Sequence, residues 1–373
     1  RGERSGKLPI MADRSTERRW LAQLTRIPTA PGREQRVMAW VRAWVGRRAD
    51  LRAKADRHGN LLLTQRGRKR RQPVLAVAHT DHPGFVVTGV EGPMVSVEFR
   101  GGVRKEYFRR SRIELFDGSD GVHLGDLEEF DHESSRGVVR MDRSAVLTAG
   151  DVGRWFFGTK RGGAGERFLL APACDDLAGV AAALAALDRA RSMEERRHFG
   201  VLLTRAEEVG FIGAIGACQA GTAPEGSRII SVECSRAYDD SPLGAGPVIR
   251  VGDASSVFDH EITNRLVEAA TEQGVRHQRR LMAGGSCEAT AFTAYGYRAG
   301  GVCLPLGNYH NMGHLDQVEQ GKGIPTLLPE VVSLDDFHGL VDLLGLAAES
   351  IDRPSSLRAR LDDRFERDGG IVQ

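Results

Sequence analysis

The sequence predicts an α/β fold in which a mostly parallel sheet covered by helices is interrupted by a small β-rich, barrel-like insertion. Beyond residue 168, apolar strand-like runs alternate with segments of helical periodicity. Such alternation is typical of a parallel sheet with helices on its faces. Between residues 83 and 168, by contrast, short β-like pieces are separated by glycine and charged turns, and no convincing helical pattern occurs.

The N-terminal part predicts two amphipathic helices followed by two strands. Apolar residues recur at helical spacing around Trp20 and again around Trp40, with a Pro28 to Gly32 break between the two sets. Residues 60–64 and the apolar run 74–78 then fit short strands, and the second of them ends abruptly at His79. Polar groups at the carboxyl end of a strand are where open α/β sheets place their sites.

After the insertion, helices and strands are predicted in alternation up to a final helix. That last helix begins with Ser333 as its cap and Asp336 at the third position. The predicted helices span about 177–191, 210–220, 257–273 and 333–351, and the predicted strands span 199–204, 229–232, 248–251 and 301–304.

The length of 373 residues corresponds to roughly two domains at about 150 residues each. We expect one α/β domain built from residues 12–82 and 169–353, with residues 83–168 inserted into it as a second, β-rich domain. Residues 1–11 and 354–373 are expected to be flexible tails.

Composition excludes several classes of function. The 52 basic and 50 acidic residues give a formal charge of only +2, so the chain has no electrostatic reason to bind nucleic acid or anionic lipid. No run approaches the roughly 18 apolar residues of a membrane-spanning helix. Five cysteines spread over a long chain do not form a disulfide framework, which favours a reducing, cytoplasmic compartment.

Histidines and acids recur where the predicted strands end or the predicted helices begin. Each has an ordinary alternative: His79 as a core histidine, Asp175 as a helix cap, or Glu207 in a solvated first turn. Together they form a nitrogen-and-oxygen donor set that suits zinc, manganese or cobalt, and the number of ligands fits two ions better than one. The candidate residues are His79, Asp81, Asp175, Glu207, Glu208, Glu233 and His310.

The order of these motifs resembles that of the co-catalytic dinuclear zinc peptidases, and most closely the tetrahedral aminopeptidase family, which includes glutamyl and deblocking aminopeptidases. The long insertion between Asp81 and Asp175 favours this branch over the dipeptidase and aminoacylase branch. The likeness runs from about residue 27 to 346. The motifs that carry it are His79-Thr80-Asp81, Asp175-Asp176-Leu177-Ala178-Gly179, Glu207-Glu208-Val209-Gly210, Glu233 after an apolar strand, and the late His310.

The resemblance implies a role for each candidate. His79 and Glu233 would hold one metal ion, Glu208 and His310 would hold the other, and Asp175 would bridge them. Glu207 would be the general base that takes a proton from the shared water. Asp81 would fix the ring of His79 without binding metal.

The same resemblance implies a hydrolase that removes N-terminal residues from peptides. Its cofactors would be two divalent metal ions per subunit, zinc in the first place, with cobalt or manganese as alternatives. It also implies a homo-oligomer, from a dimer to a dodecamer, with the β-rich insertion making subunit contacts.

The sequence departs from the family pattern at several positions, so the resemblance does not indicate the substrate specificity. The departures fall at His82-Pro83, at Leu177, at Glu233 in place of the more frequent aspartate, and at Cys287-Glu288. An amidohydrolase or deacylase acting on a small N-acylated molecule is one alternative function, because it would keep the metals and change the substrate. A metal-stabilised assembly protein without catalysis is a second alternative, which the presence of Glu207 disfavours.

Overall fold

A ten-stranded sheet forms the centre of the molecule. The computed structural model describes residues 14–67, 71–109, 111–158 and 165–372. Four neighbouring strands at the middle of the sheet are parallel, and the strands outside them join in mostly antiparallel pairs. The strands are β1 (Leu51–Ala55), β2 (Leu61–Gln65), β3 (Val74–His79), β10 (Phe168–Ala171), β11 (Phe199–Thr204), β12 (Arg228–Arg236), β13 (Val248–Asp253), β14 (Gln278–Met282), β15 (Arg298–Gly307) and β18 (Glu330–Ser333).

Strand order in this sheet is β1-β2-β11-β3-β12-β15-β13-β14, with β18 pairing both β15 and β10. The strands β3 and β11 are buried along their whole length. In β3, Ala76 and Ala78 face one apolar core while Leu75 and Val77 face another. A strand buried on both faces requires a continuous apolar sequence, which explains the run at 74–78.

Helices cover the two faces of the sheet. The alanine-rich α3 lies against β3 and β11, and its small side chains allow a close approach. The helices are α1 (Arg14–Leu24), α2 (Gln35–Gly46), α3 (Leu177–Ala190), α4 (Ile212–Gln219), α5 (His260–Glu272), α6 (Glu288–Ala294), α7 (Leu315–Glu319), α8 (Leu334–Ser350) and α9 (Leu357–Asp368).

A closed six-stranded barrel follows β3. Its core is aromatic, with the rings of Phe85 and Trp155 in edge contact at 4.7 Å between centroids. Strand order is β4-β5-β8-β7-β6-β9. The strands are β4 (Gly84–Glu91), β5 (Met94–Arg100), β6 (Arg112–Phe116), β7 (Val122–Asp131), β8 (Arg136–Met141) and β9 (Val152–Trp155), and a separate two-stranded ribbon consists of β16 (Met312–Gly313) and β17 (Thr326–Leu327).

The predicted α/β class with a barrel-like β-rich segment is confirmed. The barrel strands lie between residues 84 and 155, within the segment predicted as an insertion, and the division of the chain into domains stays a prediction. Within the described residues, no helix combines the length and the apolar character needed to cross a membrane.

The expectation of flexible tails concerns both ends of the chain. Residues 1–11 lie outside the described part of the chain. Residues 357–368 form α9, and the expectation of a flexible tail at 354–373 stays a prediction. Apolar residues at every fourth position give this segment a helical pattern. Where α9 begins, the side-chain hydroxyls of Ser355 and Ser356 donate hydrogen bonds to Glu261 and Glu268 of α5.

Candidate metal centre

The candidate residues converge at the carboxyl edge of the parallel strands. His79 ends β3, and Glu207 and Glu208 lie in the turn after β11. Parallel register between β3 and β11 pairs Thr204 with His79, so the two strands end at the same level of the sheet. The structure brings together His79, Asp175, Glu207, Glu208, Glu233 and His310, with Asp81 directly behind them.

One donor group consists of His79, Asp175 and Glu233. The Nε2 atom of His79 lies 3.3 Å from Oδ1 of Asp175 and 3.6 Å from Oε2 of Glu233. All three side chains are buried. Two carboxylates and an imidazole, facing one another at these distances, form a donor set that suits zinc or a similar divalent ion.

The second donor group consists of Asp175, Glu208 and His310. Here Nε2 of His310 lies 3.5 Å from Oδ2 of Asp175 and 3.3 Å from Oε1 of Glu208. The two oxygens of the Asp175 carboxylate therefore point to different groups, Oδ1 towards the first and Oδ2 towards the second. This is the arrangement that a carboxylate bridging two cations requires.

The residues present fit metal ions, because several of the buried donor atoms have no other partner. Among the described residues, hydrogen bonds are lacking for Oδ1 of Asp175, Oε1 of Glu208, Oε1 of Glu233 and Nε2 of His310. Buried polar atoms without hydrogen bonds cost free energy, and a cation held between these atoms would satisfy them.

The two histidines are oriented from behind. Nδ1 of His310 donates a hydrogen bond to the carbonyl oxygen of Gly102 at 2.6 Å, which leaves Nε2 as the atom facing Asp175 and Glu208. Nδ1 of His79 faces the carboxylate of Asp81 at 3.5 Å. Partners of this kind fix the ring orientation and tautomer of a metal-binding histidine.

The carboxylate of Asp81 also holds the turn that carries the two glutamates. It is fully buried, and its two oxygens accept hydrogen bonds from the backbone amides of Glu207 (3.1 Å) and Glu208 (3.0 Å). One side chain therefore lies next to His79 at the end of one strand and holds the Glu207-Glu208 turn at the end of the next.

The pKa of the Glu207 carboxyl group is raised well above its usual range. Burial is the main cause, and the nearby carboxylate of Glu233 adds to it, while the imidazole of His79 acts in the opposite direction. Oε2 of Glu207 lies 3.9 Å from Nε2 of His79. A raised pKa means that this carboxyl group holds a proton more readily than an ordinary glutamate does.

Sequence reasoning missed Glu330, which positions residues of both donor groups. Its buried carboxylate accepts hydrogen bonds from the backbone amides of Cys174, Asp175 and His310 at 2.6, 3.1 and 2.9 Å. The sequence feature that could have indicated this residue is an acidic side chain at the start of the buried strand β18.

His82 also supports the site from behind. Its Nδ1 donates to the carbonyl oxygen of Asp175 at 2.6 Å, and its Nε2 lies 3.2 Å from the side-chain oxygen of Asn311. Burial, with His310 as a second cause, lowers the pKa of His82 to about 4. The histidine of the altered His82-Pro83 corner is therefore a positioning residue for Asp175.

A cavity of about 290 Å³ opens onto the donor atoms. Three arginines line it, and two of them pair with Glu319: Arg236 at 2.7 Å and Arg104 at 3.7 Å. The third, Arg250, is 3 % exposed, and its Nε has no hydrogen-bond partner in the described part of the chain. The sequence signal for Arg250 was a single charge inside an otherwise apolar strand, and it was overlooked.

The fold is shared with solved aminopeptidases of archaea. An aminopeptidase of Desulfurococcus kamchatkensis matches with a TM-score of 0.74 at 20% identity, over 91% of this chain and 96% of that chain. A TET aminopeptidase from a marine sediment Thaumarchaeota archaeon also has a TM-score of 0.74, at 17% identity over 92% and 98%. The Pyrococcus horikoshii TET1 peptidase, which can assemble into a tetrahedron or a large octahedral shell, has a TM-score of 0.71 at 20% identity over 89% and 99%.

These likenesses show the fold, which is the α/β fold of the aminopeptidases. Residues 150–323, which include four of the five candidate metal ligands and Glu207, match the family model described as M42 glutamyl aminopeptidase. The match shows that this part of the chain is similar to that family. The resemblance to the tetrahedral aminopeptidases seen in the sequence is confirmed, and the chain is a peptidase.

Proposed function

We propose that the chain is a dinuclear metal-dependent aminopeptidase that hydrolyses the first peptide bond of short peptides. The observation that carries the proposal is the geometry of Asp175, whose two carboxylate oxygens face two separate His–Glu pairs. His79 and Glu233 would hold one ion, and Glu208 and His310 would hold the other. Zinc suits this donor set best, with cobalt and manganese as alternatives.

When bound, the two ions would supply Lewis acidity to the scissile carbonyl and lower the pKa of the attacking water. Glu207 accepts the proton of that water and passes it to the leaving amine. Asp81 keeps the imidazole of His79 and the backbone of Glu207 in fixed positions, so that the base does not have to reorganise during the reaction. Glu330 and His82 do the same for Asp175.

The carboxylates at the cavity favour a substrate with a free amino terminus. Glu207 lines the cavity together with Glu208 and Glu233 of the two donor groups, and an amino group that binds the metal ions or carries a positive charge complements this acidic site. A second candidate function, hydrolysis of N-acyl amino acids, is favoured by Arg250, because its guanidinium would bind the free carboxylate of such a molecule.

A matched pair of substrates distinguishes the two candidate functions. We expect the zinc-loaded protein to hydrolyse a dipeptide with a free amino terminus and to leave its N-acetylated counterpart intact. A chelator should abolish the reaction, and zinc, cobalt or manganese should restore it. Preferential hydrolysis of the N-acetylated substrate would establish the second function, and lack of chelator-sensitive turnover of either substrate would contradict both.

We also propose that Arg250 selects substrates whose N-terminal residue carries an acidic side chain. Its guanidinium is buried in the cavity wall, whereas Arg104 and Arg236 are already engaged by Glu319. Its Nε has no hydrogen-bond partner among the described residues, although the carboxylates of Glu233 and Asp253 are near enough to act on its charge.

Replacing this arginine should therefore change specificity. We expect Arg250→Gln to lower kcat/KM about 10- to 100-fold for peptides that begin with glutamate or aspartate, and much less for peptides that begin with alanine or leucine, because one charge-assisted contact is lost. Arg104→Gln is the matched control, a cavity arginine that is already paired. Equal losses for acidic and neutral peptides would remove Arg250 from this role.

The proposal also includes the oligomeric state of the protein and its cellular compartment. The Pyrococcus horikoshii relative forms large closed shells, which supports a homo-oligomer in which the 83–168 segment makes subunit contacts. All five cysteines are free in the structure, and four are buried, which supports a reducing compartment such as the cytoplasm.

A further inference from the structure

Glu34 is a fully buried acid that belongs to neither donor group. It directly precedes α2, and its carboxylate has three partners. Oε1 accepts hydrogen bonds from the backbone amides of Gly32 at 2.5 Å and Ala206 at 3.0 Å, and Oε2 accepts one from Nε of Arg205 at 2.6 Å. The guanidinium of Arg205 also donates to the carbonyl oxygens of Gly32 and His58, both at 3.1 Å. The acid therefore ties the segment before α2 to the segment after β11.

The segment after β11 is the turn that carries Glu207. Asp81 accepts hydrogen bonds from the amides of Glu207 and Glu208, and Glu34 accepts one from the amide just before them. Two buried carboxylates thus hold three consecutive backbone amides, those of residues 206, 207 and 208. Both ends of this short stretch are fixed from behind, on the side away from the donor atoms that face the cavity.

The backbone of Ala206 has the left-handed conformation, with φ at +52°. A residue with a side chain adopts this conformation at a cost, because its Cβ comes too close to a carbonyl oxygen. Such a conformation persists where surrounding contacts hold it, and these places are often functional sites. The hydrogen bond from the amide of Ala206 to Glu34 is a contact of this kind, and it lies one residue before Glu207.

We propose that Glu34 is a positioning residue for Glu207. The proposal rests on the proposed function, in which Glu207 is the general base. Because Glu34 holds Ala206 in its left-handed conformation, it sets the direction in which the chain enters the turn, and with it the direction of the Glu207 side chain. A base that is held in one orientation does not have to reorganise before it accepts a proton, and a small displacement of such a group slows the reaction strongly.

Glu34→Gln changes the hydrogen-bonding pattern at nearly constant size. A carboxylate accepts on both oxygens, whereas an amide has one acceptor and one donor, so either Arg205 or the two backbone amides then face an N–H group. We expect kcat to fall about 10- to 100-fold while KM and the metal content stay the same. The matched control is Glu17→Gln, because Glu17 is also buried, pairs with Arg189 at 2.7 Å and does not line the cavity. It should lower the Tm and keep the parental kcat. A parental kcat in Glu34→Gln, or equal losses of kcat in both variants, would overturn the proposal.

Substitutions at Ala206 test how Glu34 acts. Glycine adopts the left-handed conformation without a side-chain penalty, so adding Ala206→Gly to Glu34→Gln should restore part of the lost kcat. Ala206→Val in the parent should lower kcat although Glu34 is intact, because a β-branched side chain disfavours a positive φ. This variant is also the main test if circular dichroism shows that Glu34→Gln does not fold. Absence of the recovery with glycine, or of the loss with valine, contradicts the proposed role.

The last experiment does not depend on hydrolysis. Hydrogen exchange, followed by mass spectrometry of a peptide that covers residues 205–211, reports how firmly the turn is held. We expect this peptide to exchange faster in Glu34→Gln than in the parent, and at the parental rate in Glu17→Gln. Equal exchange in the parent and Glu34→Gln would overturn the proposal. This failure is distinguishable from failure of the proposed function, which would be seen as a lack of peptide hydrolysis by the metal-loaded parent.

Discussion

Glu207→Gln is expected to keep both metal ions and to lose turnover. The amide is nearly the same size as the carboxyl group, but it does not accept a proton from water, so kcat should fall by about 10² to 10⁴ while the metal content stays the same. Metal analysis and steady-state kinetics on the same sample check both parts of this prediction. The effect belongs to kcat because a general base acts on the reaction and not on substrate binding.

The control for this variant is Glu91→Gln, an exposed acid in the barrel, which should match the parent in both measurements. Glu207 also lies beside His79, so the kinetic loss is informative only when the metal content is unchanged. Full turnover in a metal-loaded Glu207→Gln variant would remove Glu207 from the role of base.

Asp175→Asn should produce the largest loss of metal. The parent carboxylate faces both donor groups, and the amide offers only one oxygen and no charge, so both ions should be weakened. We expect the affinity for zinc to fall at least about 100-fold, the upper range seen when a supporting partner of a metal ligand is removed, and activity to fall with it. Calorimetric titration of the metal-free protein measures the affinity directly.

Variants of the other ligands provide the contrast. Of the two donor groups that share Asp175, Glu233→Gln changes the first and Glu208→Gln the second, so each should weaken one ion more than the other. Thermal unfolding gives an independent readout, because a ligand that binds only the folded state raises the Tm. Zinc should raise the Tm of the parent markedly and that of Asp175→Asn little. Equal zinc affinity and equal Tm shifts for parent and Asp175→Asn would contradict the bridging role.

The donor residues of the site could be predicted from the sequence because they lie at the ends of strands. His79 ends an apolar run, Glu207 and Glu208 follow another, and Glu233 follows a third. Parallel strands end at one edge, so residues at these ends are neighbours whatever their separation along the chain. The barrel could also be predicted, because its short strands are separated by glycine turns that are visible in the local sequence.

The residues that hold the donor residues in place could not be predicted from the sequence in this way. Glu330 bonds to the amide of Asp175 across 155 positions, and His82 bonds to its carbonyl across 93. Neither residue has a spacing that relates it to its partner, because both contacts are to backbone atoms and arise only when the chain is folded. Arg250 was visible as a charge in an apolar strand, but its unpartnered nitrogen is a property of the fold.

Three helices were missed, namely the short helices α6 and α7 and the charged helix α9. The five residues of α7 are too few to show helical periodicity, although Leu315 and Glu319 form part of the cavity wall. The helix α9 has a strongly charged sequence and no place in the core, which is also the composition of a flexible tail.

The central claim is that two metal ions, held by five side chains of this site, are required for removal of an N-terminal residue. The most direct measurement is a zinc titration of chelator-treated protein in which bound metal and hydrolysis of a free-amine dipeptide are followed in the same sample. We expect two ions to bind per chain, with hydrolysis appearing as the ions bind. Full hydrolysis by the metal-free protein, or saturation of binding at a single ion with full activity, would contradict it.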